Sequence, residues 1–118
     1  MNQYAVLIYA GDSAHRPDAT PADTASCDEH ADQLVADGAM LTAYALTPRD
    51  MAKSVRAPGL ITDGPFTEAK EIVAGFYVIE AADIDMAIRI AQTNPAIAEG
   101  GGVEVRPVAS GGVVREPS

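Results

Sequence analysis

Ile61-Thr62-Asp63-Gly64-Pro65-Phe66-Thr67-Glu68-Ala69-Lys70-Glu71-Ile72-Val73-Ala74-Gly75-Phe76-Tyr77-Val78-Ile79 places a turn and a charged loop ahead of an apolar run. Asp63 is suited to hydrogen-bond the backbone ahead of it, and Gly64 tolerates positive φ without steric cost. Pro65 fixes its own φ and has no amide donor, so no strand runs through this point. Ile72 to Glu80 is short and apolar on both faces apart from Gly75, which predicts a strand covered on both sides. Between turn and strand, Glu68, Lys70 and Glu71 carry more charge than a turn needs. They read either as a solvated, mutually paired group or as a cluster that binds a polar ligand.

Working outward, Tyr4 to Ala10 is a second short apolar run, closed by Gly11-Asp12. It predicts a first strand with the same two-sided character. Thr20-Pro21-Ala22-Asp23 supplies an N-cap, a proline at the first helical position and an early acid, so a helix is expected from Pro21 to about Asp37. Cys27, Ala31, Leu34 and Val35 share its apolar face, with Cys27 expected as a small core residue, and Gly38 suits the C′ position. Ala39 to Leu46 reads as a strand closed by Thr47-Pro48. Lys53 to Arg56 reads as a short edge strand, and Gly59 to Thr62 as another that leads into the Asp63-Gly64 turn. Asp83 caps a helix from Ile84 to about Thr93, with Ile84, Ala87, Ile88 and Ala91 as its buried stripe and Asn94-Pro95 as its end. Val103 to Val108 is the last strand.

This order predicts one α+β domain over residues 1–108 with a ferredoxin-like split βαβ arrangement: an antiparallel sheet with both helices on one face. The segment 109–118 has too little apolar content to pack and is expected to be a flexible tail. With helices on one face, the other face of an open sheet should be polar. Instead Ala5, Leu7 and Tyr9 oppose Tyr4, Val6 and Ile8, and Phe76 and Val78 oppose Tyr77 and Ile79. The simplest cover for a second apolar face is the same face of another copy, so a homodimer is expected.

The chain has 118 residues, enough to bury a core without disulfides or metals. A net charge of -9 with only 8 Lys and Arg argues against nucleic acid and disfavours an acidic membrane surface as partners. A single cysteine cannot form an intramolecular disulfide, and no Cys/His spacing suits a metal. Together with the absence of a basic leader or a spanning apolar stretch, this predicts a soluble cytoplasmic protein. Gly100-Gly101-Gly102 lacks the lysine and helix of a phosphate loop, and His15-Arg16-Pro17 has no partner at a telling spacing.

Thr62-Asp63-Gly64-Pro65-Phe66, Glu68, Lys70-Glu71, Gly75-Phe76-Tyr77 and Val103-Glu104-Val105-Arg106-Pro107-Val108 together closely resemble the DGPF-domain branch of the YCII-related proteins, over nearly the whole chain. The resemblance implies a dimeric α+β barrel built from ferredoxin-like subunits. It also implies a small bacterial protein of a kind often encoded beside extracytoplasmic-function sigma factors. Some wider relatives act on small ring acids as dehalogenases or isomerases. The wider family carries a His on the first helix, matched here by His30-Ala31-Asp32-Gln33-Leu34, and an Asp before a Pro after the second helix. Asn94 stands at that second position, so a His-Asp pair built the family's way lacks its orienting acid.

His30 lies roughly 80° from the centre of its helix's apolar stripe, a flank position that can line a cleft and serve as general acid or base. Asp63 is the candidate partner, either holding a histidine tautomer or bonding its own turn. Phe66, Tyr77 and Arg106 are the candidate ligand-binding residues. Phe66 is also expected to plug the core beneath the turn, and Arg106 to pair with Glu104 or Asp63. No cofactor or metal is expected. Two functions follow: a ligand-binding or protein-interaction module whose partner is a sigma factor or a small molecule, and a cofactor-free isomerase or lyase that uses His30 on a small organic acid.

Overall fold

In the computed structural model, which describes residues 2–66 and 69–115, the two apolar runs pair side by side at the centre of a four-stranded sheet. β1 (Asn2–Ala10) and β5 (Ile72–Ala81) are antiparallel, with Val6 opposite Tyr77 and Tyr4 opposite Ile79. β2 (Met40–Ala45) adds outside β5 and β6 (Gly102–Pro107) outside β1, giving the order β2-β5-β1-β6, antiparallel throughout. The two segments that are apolar on both faces take the central positions, where both of their edges are hydrogen-bonded to neighbouring strands.

α1 (Pro21–Ala36) begins as the local chemistry requires: the Thr20 amide donates to the Asp23 carboxylate at 2.9 Å, and Pro21 opens the first turn. It ends at Gly38, whose φ of 73° is the left-handed conformation expected there. α2 (Ile84–Ala91) starts where the Asp83 carboxylate accepts from the Met86 amide at 2.9 Å. Both helices lie on one face of the sheet, because Leu34 of α1 and Ala87 and Ala91 of α2 join Tyr4, Val6, Tyr77, Ile79 and Ala81 in a single core.

Three expectations need correction. Cys27 and Val35 are exposed, leaving Leu34 as the buried residue of α1. Ile84 and Ile88 are exposed too: α2 approaches the sheet through Ala87 and Ala91, whose small side chains allow close packing, with Ile90 completing the contact. Asn94-Pro95 ends α2 but also begins a further turn, α3 (Pro95–Ala98), with the Asn94 side chain accepting from the Ala96 amide at 2.9 Å. An Asn cap with proline at the first position is a start signal as much as a stop.

β3 (Lys53–Arg56) and β4 (Leu60–Asp63) pair only with each other, as a separate hairpin and not as an edge of the main sheet. Gly64 follows with φ of 94°, and its carbonyl accepts from the Ser54 hydroxyl at 2.8 Å. The described part of the tail, 109–115, forms neither helix nor strand.

The face away from the helices carries Ala5 and Leu7 opposite Val78 and Phe76, with Tyr44 packed on Phe76 at 5.5 Å between ring centres. Tyr44 is 59% exposed. A Glu104–Arg106 pair at 3.8 Å lies along the β6 side. This side of the sheet is largely apolar and open to solvent.

Candidate functional site

α1 presents small residues to the sheet. Ala31 of α1, Ala43 and Ala45 of β2 and Ala74 and Gly75 of β5 line the space between helix and sheet, which the exposed Cys27 also borders, and side chains of that size cannot fill it. The result is a cavity of about 310 Å³, bounded also by Ile8, Met40 and Phe76 and by the loops at Asp12–His15 and Asn94–Glu99. Gly75 is required for its shape: a Cβ there would lie 2.8 Å from the Tyr44 carbonyl oxygen, so β2 and β5 could not approach as they do.

His30 lines this cavity from α1. Its Nε2 is 2.8 Å from the Thr93 hydroxyl, and that hydroxyl donates at 2.8 Å to the Ile90 carbonyl. A hydroxyl has one hydrogen to give. Since Thr93 gives it to Ile90, it must accept from His30, which fixes the proton on Nε2 and leaves Nδ1 as the free acceptor of the neutral ring. Burial disfavours the charged form and holds the His30 pKa below its ordinary value of 6.5. Burial thus favours the neutral form of the ring, and the Thr93 contact favours the tautomer with its proton on Nε2.

Tyr77 stands edge-on to it, with ring centres 6.0 Å apart and planes at 71°. Tyr77 is only 2% exposed, and its hydroxyl makes no hydrogen bond among the described residues. Burial raises its pKa. The Asn94 side chain works in the opposite direction, although the two groups fall short of hydrogen-bond geometry. A buried hydroxyl without a partner costs roughly 1–3 kcal/mol.

Also on the cavity lining, the Asp12 carboxylate accepts from the Ser13 and Arg49 amides, each at 2.8 Å, and these bonds hold its pKa below the usual value of 3.8, the Arg49 bond acting most strongly. The Ser13 hydroxyl donates to the Leu46 carbonyl at 2.6 Å and accepts from the His15 amide at 3.1 Å. The loop after β1 is thereby fixed against the end of β2 and forms a rigid cavity wall.

Of the residues singled out from sequence, His30 and Tyr77 come together at this cavity, while Asp63, Phe66 and Arg106 do not line it. Asp63 ends the hairpin with its side chain 87% exposed and ion-paired to Lys53, whose hydrogen bond lowers its pKa. Phe66 is exposed, not plugged into the core, and the Arg56 guanidinium sits 3.8 Å over its ring. Arg106 pairs with Glu104, as its structural reading had it. Lys70 and Glu71 border a neighbouring groove with Asp12 and Glu99, while Glu68 lies outside the described residues. Thr93, Asp12 and Glu99 carried no sequence signal, since each depends on where a loop folds back.

Residues 2–110 match the model of the YCII-related domain. The chain belongs to the YCII-related family. A protein of Rhizobium meliloti (strain 1021), described as uncharacterized, is 38% identical over 71 residues, a match covering 54% of this chain and 55% of that protein. The matched segment thus spans about half the length of that curated relative. Asn94 occupies the position at which the resemblance led us to expect an acid, and here it is spent on capping α3. The partner of His30 is instead Thr93, the residue just before Asn94 in sequence.

Among the described residues no helix is long and apolar enough to cross a membrane, and no group of three or more His, Cys, Asp or Glu side chains is placed to hold a metal ion.

Proposed function

We propose that this chain binds a small organic molecule in the cavity beneath α1, with His30 Nδ1 as the group that accepts a hydrogen bond or a proton from it. The observation that carries this reading is the Ile90–Thr93–His30 chain, which fixes the tautomer of a ring on the cavity wall. The cavity volume falls at the lower end of the range for small-molecule sites, and its lining is largely apolar with a few polar groups. If the bound molecule has an acidic C–H or O–H, the same geometry supports cofactor-free isomerase or lyase chemistry with His30 as general base. Tyr77 then offers a hydrogen bond to the oxygen on which charge develops. A preformed cavity favours this reading over a module whose partner is a sigma factor.

The fold reading that goes with it is a ferredoxin-like subunit of the DGPF branch. The strand order β2-β5-β1-β6 and the Asp63-Gly64-Pro65-Phe66 turn support it. The open apolar face of Ala5, Leu7, Phe76, Val78 and Tyr44 supports a two-fold dimer of such subunits, in which that face is covered by its own copy. Sedimentation tests the assembly: a dimer is expected, and a Leu7→Glu variant should sediment as a monomer.

Binding is tested by screening a small-fragment library with protein-observed NMR. Hits should move the resonances of His30, Ala31, Gly75 and Tyr77 together. Hits confined to the hairpin or to the open sheet face would overturn the assignment of the cavity as the binding site.

A further inference from the structure

A second cleft, of about 530 Å³, lies where the Asp63-Gly64-Pro65-Phe66 turn meets the ends of β1, β2 and β5. None of its lining residues borders the His30 cavity. Tyr9, Leu46, Pro65, Phe66 and Ile72 make its walls apolar and partly aromatic, and Arg49, in the turn between β2 and β3, brings a cation to it. The guanidinium of Arg49 is poorly answered. Its Nη2 donates to the Ala69 carbonyl at 2.9 Å and at 3.5 Å to that of Lys70, while Nε is buried and has no hydrogen-bond partner among the described residues. Nη1 has no bond there either but is not enclosed, so it is the nitrogen an incoming group can reach. No carboxylate of the described residues is in ion-pair contact with Arg49. Asp12 lies within its field, but the Asp12 carboxylate is spent on the Ser13 and Arg49 backbone amides. Among the described residues Glu71 is the one acid that lines the cleft, and a second cation, Arg56, stacks 3.8 Å over the Phe66 ring. Asp63, at the head of the turn, is paired with Lys53. A cation withdrawn from water normally has a carboxylate or several carbonyls around it, so the shortfall at Arg49 points to an acceptor from outside the chain.

We propose that this cleft binds small carboxylates with an apolar body, and that Arg49 is the group that selects them. The carboxylate accepts from Nη1 of Arg49, and the apolar body lies against Leu46 and Ile72 with the ring of Phe66 beside it. A guanidinium suits this role because it keeps its charge at any physiological pH and its planar donors match the oxygens of a carboxylate. The exposed Glu71 limits the charge of the ligand, since a second carboxylate would meet a like charge in the cleft. Phe66 thereby has the ligand-binding role expected of it, at a place other than the His30 cavity. The site is separate from that cavity and does not depend on what the cavity binds.

Titration of the full chain with benzoate and with benzyl alcohol, followed by protein-observed NMR, tests the proposal. Benzoate should move the Arg49 side-chain N–H, Phe66 and Ile72 resonances together. Benzyl alcohol should bind roughly tenfold more weakly, because a charge-assisted hydrogen bond is exchanged for a neutral one. Arg49→Lys keeps the charge but loses the planar donors, and the bond from the amide of residue 49 to Asp12 survives any side-chain change there. It should weaken benzoate several-fold and leave benzyl alcohol unchanged. Should that variant fail to fold, Glu71→Gln leaves Arg49 intact and should tighten benzoate by roughly two- to fivefold at low salt, a gain that shrinks as salt is added. Benzoate binding no tighter than benzyl alcohol, an affinity indifferent to these substitutions, or shifts at His30 and Tyr77 in place of Arg49 and Phe66 would each overturn the proposal.

Discussion

The His30 corner and the Asp63–Phe66 hairpin turn both gather polar and aromatic residues, but they differ in what those residues touch. At the hairpin the groups are answered locally: Asp63 in water by Lys53, Phe66 by the guanidinium of Arg56, and the Gly64 carbonyl by the hydroxyl of the buried Ser54. At the His30 corner the groups are withdrawn from water and one is left open. Nε2 is committed to Thr93, and among the described residues neither Nδ1 nor the Tyr77 hydroxyl has a hydrogen-bond partner. Exposed pairs contribute little and have no unspent capacity, whereas a partly buried base with one committed nitrogen has a direction and a use. Charge density along the chain marked the hairpin; geometry marks the cavity beneath α1.

The largest effect that would sharpen this contrast comes from truncating one aromatic in each region. Tyr77→Ala should cost about 3–5 kcal/mol, as for other large buried side chains. Phe66→Ala should leave the denaturant midpoint nearly unchanged, because the ring is already in solvent. Comparable losses in the two variants, measured by chemical denaturation, would break the distinction. Next in size, Gly75→Ala should destabilise by about 1–3 kcal/mol, because the new methyl would meet the Tyr44 backbone oxygen, which cannot rotate away. Fragment binding in the cavity should weaken with it.

Smaller, but more diagnostic, is the dependence of stability on pH. The folded state holds His30 below its ordinary value of 6.5, so between the folded and unfolded pKa values the unfolded chain binds more protons. The contribution of His30 is fully present above about pH 6.5 and is lost as pH falls through that window. His30→Gln should flatten this part of the stability profile, read from denaturation midpoints at a series of pH values. At the bottom of the scale, Asp63→Asn should change neither fragment binding nor the shape of the profile near pH 6.5, since its pair with Lys53 is exposed. A loss of binding in that variant would restore the hairpin to the site.

The strands were legible because their signal is local. Tyr4 to Ala10 and Ile72 to Glu80 each announced two-sided burial, and they are the two central strands. The helix starts at Thr20-Pro21 and Asp83 were equally plain, since capping depends on residues within one turn. Helix faces were less so. Ile84 and Ile88 outweigh Ala87 and Ala91 in hydropathy, yet the alanines face the sheet because they permit the closer approach. Cys27 was read inward for the same reason and lies exposed beside two acids. His30 was visible as a flank residue, but its partner was not. Thr93 becomes a hydrogen-bond acceptor only because its own hydroxyl is committed to Ile90 at the end of α2, and that follows from the backbone's path, not from residue spacing.

The most direct test of His30 as a neutral base of fixed tautomer is a long-range nitrogen–proton NMR titration of its imidazole. The expected result is a neutral ring protonated at Nε2, with Nδ1 unprotonated and a pKa below 6.5. A ring protonated at Nδ1 in its neutral form, or a pKa above that value, would contradict it.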